Sequence, residues 1–490
     1  MAIITRQRLV CDTGWSVVTA IANAGFGFGY LLVIGNKWGS EGIGIFSLSA
    51  TIYLIGSLIF NVGIQNAVLY EVAASGEDKK RAASFAYTAL FSSLVLGLIG
   101  AVLGYIFAPW FETFFKKADM GEMVRLFALA LPLFLVNKTC LGILNAHRRM
   151  GLLAFVNIIR GATILIYLIC VVIFEAGLVS IPYGFILAES LIVILLLFSC
   201  VRTHRFNLPS FRRAGQLVSF GWKAALSGVI GDVNVRLDIL VIGYFYDESV
   251  VGVYTVASSI AKGLWLITSA FQKVTNPLIV QLYSLEEKDK LYRTMDVLIR
   301  LGTSLFVIIG LVIAVYIKPL IGLCYPGKPE MLGSVMPLYF LLPGTIIFTG
   351  ISMLGAAPST SIGRPENAVK LISVVFGVNL VMNFVLVPYF AANGAATATT
   401  ISLLAAVVFF TYLCREYLSF AVPWRKLFVL FFTICFLLVL LVKFEDVVLR
   451  PVILLVELVI MTAALIVFKM VHKSDWELIN SIFKSFIKAV

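Results

Sequence analysis

The sequence is short of charged residues, histidines and paired cysteines. Only 13% of its 490 residues are charged and 60% are hydrophobic, whereas a soluble globular chain averages about 25% charged residues. The three histidines fall in predicted connections or in the tail, and the seven cysteines include no CxxC pair. We therefore expect no metal site, no catalytic residues and no cofactor.

Long apolar segments, separated by short polar breaks, make up most of the chain. About 20 apolar residues cross the hydrocarbon core of a bilayer, so the pattern predicts an all-α integral membrane protein with fourteen transmembrane spans. We expect the first span to be retained, because no small-residue cleavage site follows it. The predicted spans are 12–34, 42–70, 83–108, 123–146, 150–174, 178–201, 216–246, 250–280, 292–317, 331–357, 366–388, 393–414, 425–443 and 450–470.

Lysine and arginine are distributed unevenly over the predicted connections. Most lie on the same side as the two termini, and the positive-inside rule makes that side cytoplasmic. Basic loops that face anionic lipid account for most of the net charge of +12, so no nucleic-acid partner is expected. The tail 474–490 has an amphipathic pattern that predicts a short helix on the inner membrane surface.

The first six predicted spans resemble the next six. Gly14-Trp15 matches Gly221-Trp222, and Leu131-Pro132 matches Leu342-Pro343, with a shift that stays between 207 and 211 residues. An even number of spans in each half predicts a parallel repeat about an axis along the membrane normal. The predicted organisation is a six-helix lobe over 1–206, a second six-helix lobe over 207–416, two additional spans over 417–473 and the tail 474–490.

Charged side chains inside predicted spans are candidates for a functional site, because each costs about 2.5–3.5 kcal/mol at the bilayer centre on insertion scales. The seventh span contains four of them, Lys223, Asp232, Arg236 and Asp238. The spacing of Asp232 and Arg236 places both on one helix face, where they can pair. An equally open interpretation is that the two charges only neutralise each other, so that the helix can insert into the membrane.

Further basic residues lie in other spans. Arg160 and Lys262 are about a dozen residues into theirs, where a side chain reaches the headgroups least easily. Lys273 shares a face with Lys262, but Lys273 and Lys370 lie near cytoplasmic span ends and could instead extend to the headgroups. The headgroup-binding candidates are Arg236, Lys262, Arg160, Lys223, Lys138, Lys273 and Lys370. The coupling or ion-pair candidates are Asp232, Asp238 and Glu189.

A site rich in lysine and arginine suits an anionic group such as a phosphate or pyrophosphate. It does not suit a cationic drug. The first span contains no acidic residue at mid-depth of the kind expected in a cation-coupled exporter. Glu189, in the sixth span, remains the candidate for proton or ion coupling, and a simple hydrogen-bonded contact between helices is the other interpretation.

Two pairs of local motifs occur in the second half of the chain. Leu237–Gly243 is followed by Val251–Tyr254, and Met382–Pro388 is followed by Asn393–Thr399. With the fourteen spans and the repeat, these motifs make the whole chain resemble a polysaccharide (O-antigen type) flippase of the multidrug/oligosaccharidyl-lipid/polysaccharide exporter superfamily.

The resemblance implies a V-shaped bundle of two lobes with a basic central cavity. It implies alternating-access transport of an undecaprenyl-pyrophosphate-linked oligosaccharide from the inner to the outer leaflet of the bacterial cytoplasmic membrane. The implied partners are the lipid-linked substrate, membrane lipids and polysaccharide-assembly proteins, with proton or ion coupling left open.

Three other functions stay open. A membrane polymerase or ligase would need a sizeable outer loop, whereas the longest outer connections here, Pro109–Glu122 and Lys318–Glu330, are short. A multidrug exporter of the same superfamily conflicts with the cationic interior. A flippase for a lipid-linked cell-wall precursor would share the fold and differ only in its cargo.

Overall fold

A computed structural model describes residues 6–117, 119–203, 206–354, 364, 366–420, 422, 424–443 and 450–467. Every regular element in these residues is helical, and none of them forms a strand. The all-α class predicted from hydropathy is therefore confirmed. The predicted tail helix over 474–490 lies outside the described residues.

Thirteen α-helices follow one another in the described part of the chain, and most of them match one predicted span each. Short 3₁₀ turns at Leu178–Ser180 and Pro329–Ser334 precede the sixth and tenth helices. The helices are α1 (Arg6–Asn61), α2 (Ile64–Ala74), α3 (Lys79–Phe115), α4 (Met120–Ala146), α5 (Met150–Ile173), α6 (Ile181–Thr203), α7 (Phe211–Phe245), α8 (Glu248–Ser284), α9 (Lys288–Cys324), α10 (Val335–Ser352), α11 (Glu366–Leu418), α12 (Trp424–Lys443) and α13 (Arg450–Val467).

Helix α11 contains two predicted spans, and helix α1 contains the first predicted span and most of the second. A single non-helical residue divides each of them, Gly39 (φ 67°, ψ −159°) in α1 and Ala391 (φ 48°, ψ −129°) in α11. A glycine adopts positive φ without the steric cost that a side chain brings. Under the repeat shift, Gly39 corresponds to the break between α7 and α8, and Ala391 to the start of α6. The same turn is thus made by one residue in one half and by a short connection in the other.

Ten helices in the described residues are long and apolar enough to cross a membrane. The protein is thus a multi-pass membrane protein. Helix α7 is not among the ten, and six charged residues interrupt its apolar sequence. The second predicted span is also divided, since Val62 and Gly63 both have positive φ and separate α1 from α2.

The chain forms two compact units, one comprising Cys11–Gly252 and the other including Val253 and the residues after it. Helix α7 therefore packs with the first six predicted spans. The boundary at 206/207 between two six-helix lobes, drawn from the repeat, stays a prediction.

The centre of the first unit is α4, which packs against α2, α3 and α6. Small residues make this close packing feasible. A Cβ on Gly97 would overlap the backbone of Pro132, and a Cβ on Gly142 would overlap the carbonyl oxygen of Gln65. The hydroxyls of Ser93 and Thr139 also meet across α3 and α4, with 2.5 Å between their oxygens. This rigid centre positions the polar side chains of α4 described below.

In the second unit, α10 packs against α9, α11 and α12. The end of α10 is tied to α8 by two side chains that donate hydrogen bonds to backbone carbonyls. Gln272 Nε2 donates to Ser352 O at 2.6 Å, and Thr275 Oγ1 donates to Met353 O at 2.9 Å.

Within the first unit, the turn in α1 and the start of α8 cross at very close range. A Cβ on Gly44 would overlap the carbonyl oxygen of Glu248, and a Cβ on Gly252 would overlap that of Ser40. The Ser40 and Ser249 hydroxyl oxygens lie 2.7 Å apart at the same crossing. Only glycine permits this approach at both positions.

The Gly252→Ala substitution is expected to destabilise the protein by about 1–3 kcal/mol, the usual cost of overpacking. The measurement is thermal unfolding of the detergent-purified chain. Gly25→Ala in α1 is the matched control, because a Cβ there meets no heavy atom within 4 Å. Equal unfolding temperatures for the two variants would contradict the close crossing.

Candidate functional site

A polar cavity of about 320 Å³ lies inside the first unit, between α1, α2, α4 and α7. Three predicted site residues line it, Lys138 from α4 and Asp232 and Arg236 from α7. Sequence reasoning missed the neutral polar side chains of its wall, which cluster around the break between α1 and α2. These are Ser57, Asn61, Gln65 and Asn66.

Asp232 and Arg236 form the pair that their spacing predicts. Arg236 Nη1 donates a hydrogen bond to the backbone oxygen of Asp232 at 2.7 Å and lies 4.0 Å from Asp232 Oδ1. The Asp232 side chain is 56% exposed and that of Arg236 is 25% exposed. At 4.0 Å the pair is loose, so the guanidinium keeps donors for another anion.

Lys138 and Arg160 both lie near the same aromatic ring, that of Phe134. Lys138 Nζ lies 5.2 Å from the centroid of the Phe134 ring, and Arg160 Cζ lies 5.6 Å from it. Both distances are within the range of a cation–π interaction. Phe134 lines the cavity and is in contact with both the cavity lysine and a second cation outside the lining.

Arg160 is held by Glu189 across α5 and α6. Arg160 Nε lies 2.9 Å from Glu189 Oε1, and Nη2 donates to Oε2 at 3.2 Å. Asn137 Nδ2 donates to Glu189 Oε2 at 2.6 Å and to its backbone oxygen at 2.9 Å. Asn137 is fully buried, and the Glu189 side chain is 2% exposed. We call Arg160, Glu189 and Asn137 the buried triad.

The buried triad changes how Arg160 is interpreted. The sequence showed no counter-ion for Arg160 on its own helix, and the structure supplies one from the neighbouring helix. An arginine with two contacts to a buried carboxylate is poorly placed to bind a substrate directly. Its geometry suits fixing Phe134, and through it Lys138, at the cavity wall.

The remaining predicted site residues do not line this cavity. Lys223 is exposed on α7 next to the lining residue Ala224, and Asp238 is 4% exposed, two residues beyond the lining residue Arg236. Lys262 and Lys273 on α8 are half-buried, and Lys370 on α11 is exposed. These three belong to the second unit, and their role stays a prediction. Among the described residues, no group of three or more metal-ligating side chains comes together.

Three comparisons with known proteins agree with this architecture. Residues 39–328, more than half of the chain, match the family of polysaccharide biosynthesis proteins. A candidate flippase of Haloferax volcanii, AglR, is 25% identical over 383 residues, which cover 75% of each chain. A candidate O-antigen transporter of Shigella flexneri is 22% identical, and the match covers 82% of this chain and 97% of that one.

Among solved structures, the lipid II flippase MurJ in an inward closed conformation has a TM-score of 0.73 at 14% identity. The match covers 94% of this chain and 98% of that one, and at this identity it shows a shared fold. The chain therefore belongs to the family of polysaccharide biosynthesis proteins, and it resembles a flippase and an O-antigen transporter in sequence and the flippase MurJ in fold.

Proposed function

We propose that the protein moves an undecaprenyl-pyrophosphate-linked oligosaccharide from the inner to the outer leaflet of the bacterial cytoplasmic membrane by alternating access. The observation that carries this proposal is the polar cavity, where Lys138 and Arg236 present their charges to one space. Lysine and arginine form strong charge-assisted hydrogen bonds with phosphate oxygens. The cavity contains one carboxylate, Asp232, so its described charged lining is cationic by one charge.

The relatives support the substrate class. The names of the two matched relatives describe a flippase and an O-antigen transporter rather than an enzyme. In the proposed mechanism, Lys138 and Arg236 bind the pyrophosphate while the neutral polar side chains of the wall face the sugar. Arg160 acts through Phe134 as a positioning residue. Lys262, Lys273, Lys223 and Lys370 are proposed to receive the headgroup at other stages of transport.

Coupling to a proton or ion gradient would require a carboxylate that changes its partners. Glu189 is the proposed candidate because it is buried and engaged by both Arg160 and Asn137. Asp232 and Asp238 are the alternatives on α7. We further propose that both termini are cytoplasmic and that polysaccharide-assembly proteins act on the transported product.

The test is reconstitution of the purified chain in proteoliposomes with an undecaprenyl-pyrophosphate-linked oligosaccharide. A membrane-impermeant glycosidase measures how much of the oligosaccharide becomes accessible, with and without a proton or sodium gradient. Accessibility is expected to rise only with the protein present, while a fluorescent phosphatidylglycerol stays in its leaflet. Equal movement of phosphatidylglycerol, or no movement of the oligosaccharide under any gradient, would overturn the proposal.

A further inference from the structure

An apolar groove of about 520 Å³ lies between α1, α3 and α4 in the first unit. Its wall is almost wholly hydrocarbon and aromatic. Several of its side chains are strongly exposed even though they are large, among them Ile59, Phe107, Trp110 and Phe114. Exposed apolar surfaces of this size mark sites that contact a membrane, a ligand or a partner protein.

Glycines open and shape this groove. A Cβ on Gly100 would overlap the side chains of Leu131 and Phe60, so this glycine lets α3 approach α1 and α4 at the floor. Gly56, in contrast, faces empty space, because a Cβ there meets no heavy atom within 4 Å. Gly56 therefore marks the part of the groove that is open to an occupant.

The groove and the polar cavity lie on opposite sides of one segment of α1. Within residues 52–61, the groove is lined by residues 52, 53, 55, 56, 59 and 60, and the cavity is lined by residues 54, 57, 58 and 61. At 100° per residue these two sets point in opposite directions.

The other walls pass from groove to cavity within one helical turn. On α4, Leu131 lines the groove and Phe134 lines the cavity; on α7, Leu240 lines the groove and Arg236 lines the cavity. The ring of Tyr53, in the groove wall, is 5.5 Å from the ring of Phe134. The apolar groove and the cationic cavity are therefore adjacent.

We propose that this groove seats the isoprenoid chain of the lipid-linked substrate while its pyrophosphate occupies the polar cavity. The inference rests on the proposed function, because it takes the substrate from there. The groove extends along α3 from Gly100 to Phe115, which is about 22 Å at 1.5 Å per residue. It runs toward the connection between α3 and α4, whereas the cavity lies farther from that connection along α4 and α7.

The position of the headgroup distinguishes the proposed isoprenoid substrate from an ordinary phospholipid. A phospholipid keeps its headgroup at the membrane surface, while the groove adjoins the cations Lys138 and Arg236, which lie about two turns or more from the ends of α4 and α7. Only an amphiphile whose anionic head enters the protein fills both spaces at once. Because bilayer lipid is as apolar as the groove, selectivity comes from packing of the chain against fixed aromatic side chains.

Photo-crosslinking tests the inference in the full chain reconstituted in bilayers. The crosslinker p-benzoylphenylalanine replaces Phe107 in the groove or, as matched control, Ile106, which is 62% exposed and outside the groove lining. The probes are radiolabelled undecaprenyl phosphate, undecaprenol without a phosphate, and phosphatidylglycerol. Position 107 is expected to capture both isoprenoids in preference to phosphatidylglycerol, and position 106 to capture all three without preference.

A second variant tests the inference by filling the groove with a larger side chain. Gly56→Leu is expected to lower isoprenoid capture at position 107 about tenfold, since about ten carbon–carbon contacts of the chain are lost. Gly322→Leu on α9, where a Cβ likewise meets no heavy atom within 4 Å, is expected to leave capture unchanged. Equal capture of phosphatidylglycerol and isoprenoid at position 107, or full capture by the Gly56→Leu variant, would overturn the inference.

The outcome separates this inference from the proposed function. Oligosaccharide transport without isoprenoid capture at position 107 would refute the groove alone. Capture of undecaprenol without oligosaccharide transport would refute the proposed function and show that the groove binds isoprenoid chains in another process.

Discussion

Replacing Lys138 and Arg236 together by glutamine is expected to lower transport of a pyrophosphate-linked substrate about 100-fold or more, because each hydrogen bond to a charged group contributes about 1.5–3 kcal/mol. Both side chains line the same polar cavity. The measurement is the rate of oligosaccharide exposure in proteoliposomes, together with surface polymer in a complementation assay at matched protein levels. Lys138→Arg and Arg236→Lys, which keep the charges, are expected to retain part of the activity.

Arg125→Gln is the matched control for this experiment. Arg125 lies on α4 like Lys138 and is also placed over an aromatic ring, with Cζ 5.6 Å from the Tyr105 centroid. It does not line the polar cavity. If the double variant and Arg125→Gln transported equally well, the cavity would not be the pyrophosphate site. A triple Gln variant at Arg236, Lys262 and Arg160 that makes full surface polymer would likewise contradict a cationic pyrophosphate site.

Glu189→Leu is expected to destabilise the protein by about 3–5 kcal/mol, because it leaves Arg160 charged and buried without its partner. Adding Arg160→Met to it is expected to recover most of that loss, since two apolar side chains then replace the pair. Thermal unfolding of the single and double variants gives the coupling energy.

The exposed pair Lys290–Glu287, also 2.9 Å apart, is the control, and breaking it is expected to cost about 0.5 kcal/mol or less. Transport by the stable double variant then decides what the buried triad does. Transport at the wild-type rate with an unchanged dependence on the ion gradient would rule out Glu189 as the coupling residue.

Hydropathy was sufficient to predict most of the fold. Hydropathy placed most predicted spans on one helix each, because crossing a bilayer demands long apolar segments whatever their partners are. The turns at Gly39 and Ala391 escaped prediction as single-residue turns. Nothing in the composition of a short polar break says whether one residue or several will turn the chain.

The site was predictable only in part, and for a different reason. Membrane depth and charge identified Arg160 and Glu189 separately. Their contact joins α5 to α6, and it depends on how these helices pack, which the spacing of residues along one helix does not reveal. Asn137 was missed because one amide in an apolar helix has no periodic signature. The pair Asp232 and Arg236 was found because both residues share a helix face.

The segment of α1 between residues 52 and 61 is a partition, with an apolar groove on one side and a cationic cavity on the other. Each side chain belongs to its compartment only through its angle around the helix. Insertion or deletion of one residue between Gly39 and this segment would turn it by about 100° and mix the two linings. Substitutions that preserve length can alter either lining separately, whereas a change in length alters both linings at once.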